Sequence, residues 1–339
     1  MITLLESVQS YHKDNEGMTK LIKFSTLIII TFFNQMVLPE STNVGIKINH
    51  LQFIGSHNSY KKAMPDSFVK QLMRVNPEVM ENLEYEHISL AEQLDLGIRK
   101  LELDVFYVAD EARFLVGHVQ QIDMNSNCAT LRICLNQIIA WSKKNITHAP
   151  IWISFNAKDD YIFGLPSPEN FTPEAFNLMD SIIEEILGEN LIRPRDIVDL
   201  QWPLLDEARG NFILILDEGG SKRDMYYEGW QQRPMFTNAP EGHPAAAIMI
   251  INDPVDQLEE IQRLVKAGYM IRTRADADTR EARDNDTRRK VAAFESGAQA
   301  VSTDYYLPAT HFGNEYQVSL PEPVQCNPIT APKYCRVSE

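Results

Sequence analysis

The sequence predicts an α/β chain closed into one distorted, TIM-like (β/α) barrel. Strand-like runs alternate with helix-like ones along most of its length, the pattern of a parallel sheet. Polar and ionisable residues gather at the C-terminal ends of those runs, which a barrel brings together on one rim. No Gly-x-Gly-x-x-Gly turn or Gly-Lys-Ser phosphate loop marks a nucleotide fold, whose open sheet brings only its switch-point strands to a site. A length of 339 residues and a hydrophobic fraction of 44% suit a single large barrel with a full core.

The elements follow in order. Residues 1–17 are polar, and "MTKLIKFSTLIIITFF" from Met18 to Phe33 has a lysine-bearing start and then an apolar run. That is the pattern of a secretory signal, and the run is too short to span a membrane. A start at Met18 or a long leader both account for the polar residues ahead of it, and cleavage is expected near Pro39 to Asn43. The expected division is an extension with signal over 1–40 and a catalytic barrel with a C-terminal strap over 41–339. Strand-like runs cover 46–55, 98–108, 150–158, 211–218, 245–253, 268–276 and 298–306. Between them, Leu131, Leu135, Ile138 and Ile139 share a helical face, as do Phe176, Met179, Ile183 and Ile186. Leu258, Ile261, Leu264 and Val265 make a third stripe, and Val291 to Phe294 end a fourth. From Leu320 onward the Pro-rich tail reads as an extended strap.

Charge and cysteines narrow the setting. A net charge of −15 argues against nucleic acid and against lasting adsorption to an anionic membrane, while leaving room for a transient visit to a lipid headgroup. Cys128 and Cys134 lie close in sequence, as do Cys326 and Cys335. Two local disulfides in an oxidising compartment, periplasmic or extracellular, are the natural reading among three connectivities. No Cys-x-x-Cys or Cys/His grouping supports zinc.

Several of the rim residues carry chemistry. In "LELDV" the alternation puts Glu102 and Asp104 on one face of a strand. Inside a barrel two adjacent carboxylates repel unless a cation or proton separates them. A hard divalent cation, Ca2+ or Mg2+, with Asn58 and Asn156 as further oxygen donors, resolves this. Bridging of the pair by Arg or Lys is the alternative. His57 in "GSHN" and His118 in "VGH" both follow a glycine-bearing strand end. Two imidazoles flanking a metal suit phosphoryl transfer, one taking a proton and the other giving one. Lys158, Arg272 and Arg274 stand along the strands where a phosphate would need positive charge, unless local acids pair with them.

"GSHNSYKK", "GIRKLELDVF", "VGH", "CATLRICL", "RTRADADTREARDNDTRR" and "GAQAVSTDY", spread over about residues 46–310, together resemble the secreted, calcium-dependent phosphoinositide-specific phospholipase C family of bacteria and fungi. The resemblance implies a TIM-like barrel that cleaves phosphatidylinositol to diacylglycerol and a (cyclic) inositol phosphate. It implies His57 and His118 as the catalytic pair, with His118 as general acid and His57 at the attacking group. Asn58, Glu102 and Asp104 become Ca2+ ligands, Lys158, Arg272 and Arg274 become phosphate or inositol contacts, and Asp304 orients His57. The implied partners are a phosphoinositide lipid or glycerophosphoinositol and, transiently, a membrane surface, with the chain acting as a monomer.

One position departs from the family pattern. Before the lysine such enzymes usually read Leu-Glu or Ile-Glu, whereas this chain has "SFNAK" with Asn156. An amide offers calcium an oxygen but no charge, and it cannot act as a base. A glycerophosphodiester phosphodiesterase shares the barrel, the histidines and the Glu-x-Asp pattern, but its opening motif reads His-Arg where this chain has His57-Asn58. Asn156 also leaves open a catalytically impaired barrel that binds inositol phospholipids.

Overall fold

The computed structural model describes residues 45–339; the expected signal and its extension over 1–40 lie outside the described residues. The first half runs β1 (Leu51–Ser56), α1 (Asp66–Val75), α2 (Pro77–Asn82), α3 (Leu90–Asp95), β2 (Lys100–Val108), β3 (Arg113–Val116), α4 (Leu131–Ser142), β4 (Ile151–Ala157) and α5 (Pro173–Leu187). Next come β5 (Leu191–Ile192), α6 (Leu205–Ala208), β6 (Phe212–Leu216), α7 (Gly220–Tyr227), β7 (Phe236–Thr237), β8 (Ile248–Ile250) and α8 (Leu258–Ala267). The chain finishes with β9 (Met270–Arg274), α9 (Arg280–Asp284), α10 (Arg288–Glu295), β10 (Ala300–Thr303) and β11 (Val324–Cys326).

Parallel pairing runs from β8 through β9, β10, β1, β2, β4 and β6 to β7. Between β7 and β8 the chain forms a parallel bridge, Asn238 to Ile248, where the Asn238 side chain also accepts from the Ile250 N–H at 3.1 Å. The ring of strands is therefore drawn together weakly at one seam, which is where the barrel is distorted. Outside the ring, β3 folds back antiparallel on β2, β5 adds to β6, and β11 pairs antiparallel with β1. That last pairing makes the strap part of the sheet, and bridges Cys326–Cys335 and Cys128–Cys134 are both formed.

The helices start and pack as their sequences dictate. Thr130 caps α4 and Thr172 caps α5, each accepting from a backbone N–H of the first turn. Gly268, in the left-handed region at φ 103°, ends α8. Leu131, Leu135, Ile138, Phe176, Met179, Ile183, Ile261, Leu264 and Val265 are buried against the sheet. The stripe expected at the end of α10 holds in part: Val291 is exposed, while Ala293 is buried and Phe294 packs against the core. Among the described residues no helix is long and apolar enough to cross a membrane.

Candidate active site

His57 follows β1 directly, its N–H bonded to the Thr303 carbonyl of β10 at 3.0 Å. Its Nδ1 lies 2.9 Å from Asp304 Oδ1, and its ring stacks on Tyr85 with centroids 5.9 Å apart. An Nδ1–H directed at the carboxylate leaves Nε2 with its lone pair toward the cup formed by the strand ends. Burial and the nearby Arg274 charge lower the His57 pKa, and they outweigh Asp304 and Glu102, which act to raise it. That direction favours the neutral imidazole, whose Nε2 lone pair can take a proton. Asp304 is raised by its burial but carried below the ordinary value by His57 and Arg274. Its N–H donates to Asp276 at 2.8 Å. Asp276 is itself fully buried, with Thr303 and Tyr316 donating to it.

Asn58 takes the left-handed conformation at φ 46°, which asparagine tolerates better than most residues. Its amide donates to the Tyr85 hydroxyl at 2.6 Å, which holds the side chain still.

His118 does not end a barrel strand as His57 does. It follows the antiparallel β3, in a turn where a Cβ on Gly117 would stand 2.4 Å from the Met124 sulfur and would have to displace that thioether. Its Nδ1 is 3.2 Å from Asp123 Oδ2, and that buried carboxylate also holds Lys61 at 3.0 Å. Both histidines therefore have a buried carboxylate at Nδ1.

Glu102 and Asp104 face inward from β2, each 2% exposed. Parallel register sets Asn156 opposite Asp104, and the Asn156 amide reaches Asp104 Oδ1 at 2.9 Å and Glu102 Oε1 at 3.4 Å. Lys158 Nζ lies 3.2 Å from Asp104 Oδ2. Burial alone would lower Lys158, but the Asp104 and Glu102 charges raise it. Glu102 Oε2 takes the Lys100 ammonium and, at 2.8 Å, the Arg272 guanidinium. Those cations overcome the burial of Glu102 and bring its carboxyl well below the usual range, while burial brings Lys100 down to about 8. Burial pushes Asp217, beside this group, up to about 6.

His57, Asn58, Glu102, Asp104, His118, Asn156, Lys158, Arg272 and Arg274 all line one polar cup of about 240 Å³. Arg272, expected to meet phosphate, spends its guanidinium on Glu102 and Asn252. Arg274 leans on Asp304 at 3.4 Å. Participants not assigned from the sequence include Lys100, Asp123, Tyr85, Asp217 and Asn252. Lys100 could have been found, because it shares the two-residue period of Glu102 and Asp104.

The donor set suits a hard cation. Asn58, Glu102, Asp104 and Asn156 offer only oxygens, and Glu102, Asp104 and Asn156 converge at the distances above. Turning the Asn156 amide about presents its oxygen to the same point. Among the described residues no three His, Cys, Asp or Glu side chains are grouped to hold a metal, so a cation in this cup relies on amide oxygens.

The sequence model of one family, Phosphoinositide phospholipase C, Ca2+-dependent, matches residues 46–115 and 107–328. No curated protein matches the chain. A solved structure described as a calcium-dependent phosphoinositol-specific phospholipase C from Pseudomonas sp is 15% identical, with TM-score 0.56, over 85% of this chain and 97% of that one. A Ca2+-dependent phosphatidylinositol-specific phospholipase C from Streptomyces antibioticus is 16% identical, with TM-score 0.54, over 80% and 99%. The phosphatidylinositol-specific enzyme of Listeria monocytogenes is 14% identical, with TM-score 0.51, over 79% and 90%. At these identities the structures speak for the barrel.

Proposed function

We propose, since this chain belongs to the Ca2+-dependent phosphoinositide phospholipase C family, that it cleaves phosphatidylinositol at the diacylglycerol side of its phosphodiester. The inositol 2-hydroxyl attacks phosphorus, forming one P–O bond as the bond to the diacylglycerol oxygen breaks. His57 Nε2 takes the hydroxyl proton, and protonated His118 gives one to the departing oxygen. Water reverses the two roles to open the cyclic inositol phosphate. Asp304 and Asp123 orient the rings through Nδ1, and Lys158 and Arg274 face the phosphate. Asn58, Glu102, Asp104 and Asn156 would hold calcium, which when bound lowers the hydroxyl pKa and draws charge from the phosphoryl oxygens.

The observation that carries this reading is the matched pair of histidines, each with a buried carboxylate at Nδ1, over one polar cup. A calcium-dependent assay on phosphatidylinositol beside glycerophosphoinositol tests it. Diacylglycerol release from the lipid, strongly reduced in His57→Ala, is expected. Turnover of glycerophosphoinositol alone would favour the phosphodiesterase alternative, and liposome binding without turnover would favour the impaired binder that Asn156 suggests.

A lipid substrate also fits the rim. Apolar residues stand exposed on three connections that follow barrel strands: Phe68, Met73 and Val75 on α1 after β1, Tyr161, Ile162 and Phe163 after β4, and Leu307 after β10. All three lie at the C-terminal end of the barrel, around the cup. An apolar cavity of about 430 Å³ under α1 and α2 shares Tyr85 and Asp304 with the His57 surroundings. A membrane surface is the partner of this rim, met transiently by a monomer. The reading keeps residues 1–40 as extension and secretory signal and 41–339 as the catalytic unit, with secretion or periplasmic export consistent with the two disulfides.

A further inference from the structure

The floor of the cup holds a positive charge that the reaction above does not use. Lys100 is fully buried, directly opposite Gly55 in the β1–β2 register. A Cβ on Gly55 would lie 2.5 Å from the Lys100 Cβ and Cδ, so the glycine is what lets the lysine stem cross the barrel interior. At the far end, the ammonium donates to Glu102 Oε2, to the Ser56 carbonyl at 3.3 Å and to Ser302 Oγ at 3.4 Å. Arg272 donates to the same Oε2 at 2.8 Å, and Ser154 Oγ stands 3.5 Å from it. Only Oε1 of Glu102 is left facing Asn156 and His57.

We infer that Lys100 is a resident counter-cation that sets the calcium affinity of the cup. This rests on the reading that Asn58, Glu102, Asp104 and Asn156 hold the metal. With Oε2 committed to Lys100 and Arg272, Glu102 offers one oxygen where calcium commonly takes two from a glutamate. The fixed ammonium repels a second cation at the same carboxylate, in a region shielded from solvent where charges act strongly. Asn156 compounds the effect by supplying an oxygen without charge. The chain thus weakens its metal site twice, while keeping the floor positive for an anionic phosphate.

The test is calorimetric titration of CaCl2 into the EDTA-treated, full-length protein, with thermal melts in EDTA and in calcium as a second readout. Lys100→Met is expected to tighten calcium binding at least about tenfold and to enlarge the calcium-induced rise in Tm. Lys100→Gln, which keeps a donor for Glu102 while losing the charge, is expected to do the same and covers the case in which Lys100→Met does not fold. Equal or weaker affinity in a folded variant overturns the role of Lys100. So does a gain confined to Lys100→Met, which would trace to space and not to charge. No calcium binding by wild type and variants alike would overturn the metal reading, and this inference with it.

Discussion

The polar cup and the apolar rim around it bury and expose opposite things. In the cup, Lys100, Glu102, Asp104 and Arg272 are charged and at most 2% exposed, and each has a partner of opposite charge. On the rim, Phe163 is 92% exposed and Val75 is 78% exposed, and none of the residues of α1 is buried. A buried charge is tolerated only when paired, so the cup is satisfied from within the chain. Apolar side chains grouped on a surface mark a place where something else binds, so the rim is satisfied from outside. Substitutions in the cup should therefore act on chemistry, and those on the rim on the approach to a membrane.

The strongest way to break that division is through the cup's proton handler. His57→Ala should lower turnover of phosphatidylinositol by about 10²–10⁴-fold in detergent micelles and in bilayers alike, with unchanged binding to vesicles. A rate that falls only on vesicles would place His57 with the rim.

Acid should reach the wall behind the cup next. Burial brings His87, whose Nε2 is 2.7 Å from the His57 carbonyl, from 6.5 down to about 4. A histidine kept neutral in the fold but protonated when unfolded gives stability that is full above pH 6.5 and is lost as pH falls toward 4. The loss is roughly 3 kcal/mol. Urea midpoints at pH 7, 5 and 4 measure it, and His87→Asn should flatten the slope. An equal slope in the variant would remove His87 from the account.

Phe163→Ser should weaken vesicle binding by about 1.5–3 kcal/mol if the ring is fully inserted, measured by sedimentation with phosphatidylinositol-containing liposomes. Turnover of a water-soluble substrate should not change. If the soluble rate fell as well, loop 158–172 would belong to the cup.

Gly55→Ala probes packing under the cup. Its methyl group would press on the Lys100 stem, and overpacking of this kind costs about 1–3 kcal/mol. Chemical denaturation measures the loss. A neutral outcome would mean that Lys100 has another seat.

The candidate site was legible in the sequence to the extent that strand alternation and strand ends determine it. Glu102 and Asp104 face inward because every second residue of β2 does, and His57, Asn58, Asn156, Lys158, Arg272 and Arg274 reach the cup because they stand at the C-terminal ends of ring strands. His118 was found through its Gly-His context although its strand lies outside the ring. The orienting Asp123 was not found, because its position depends on a turn between Val119 and Asp123 that no periodicity announces. The strap was expected to be extended, but its pairing with β1 in β11 joins residues far apart in the chain. The seam at Asn238–Ile248 was equally invisible, since the short β7 and β8 carry little pattern.

By itself the sequence determined the barrel class, the inward carboxylates, both histidines and the amide at position 156, because these depend on residue type and local period. The tertiary structure alone decided which charge answers which. Lys100 shares a face of β2 with Glu102, but its stem finds room only because the neighbouring β1 sets Gly55 against it, and Arg272 arrives at the same oxygen from β9. Pairing among charges depends on distances of a few ångströms between segments separated by many residues, and such distances exist only once the barrel has closed.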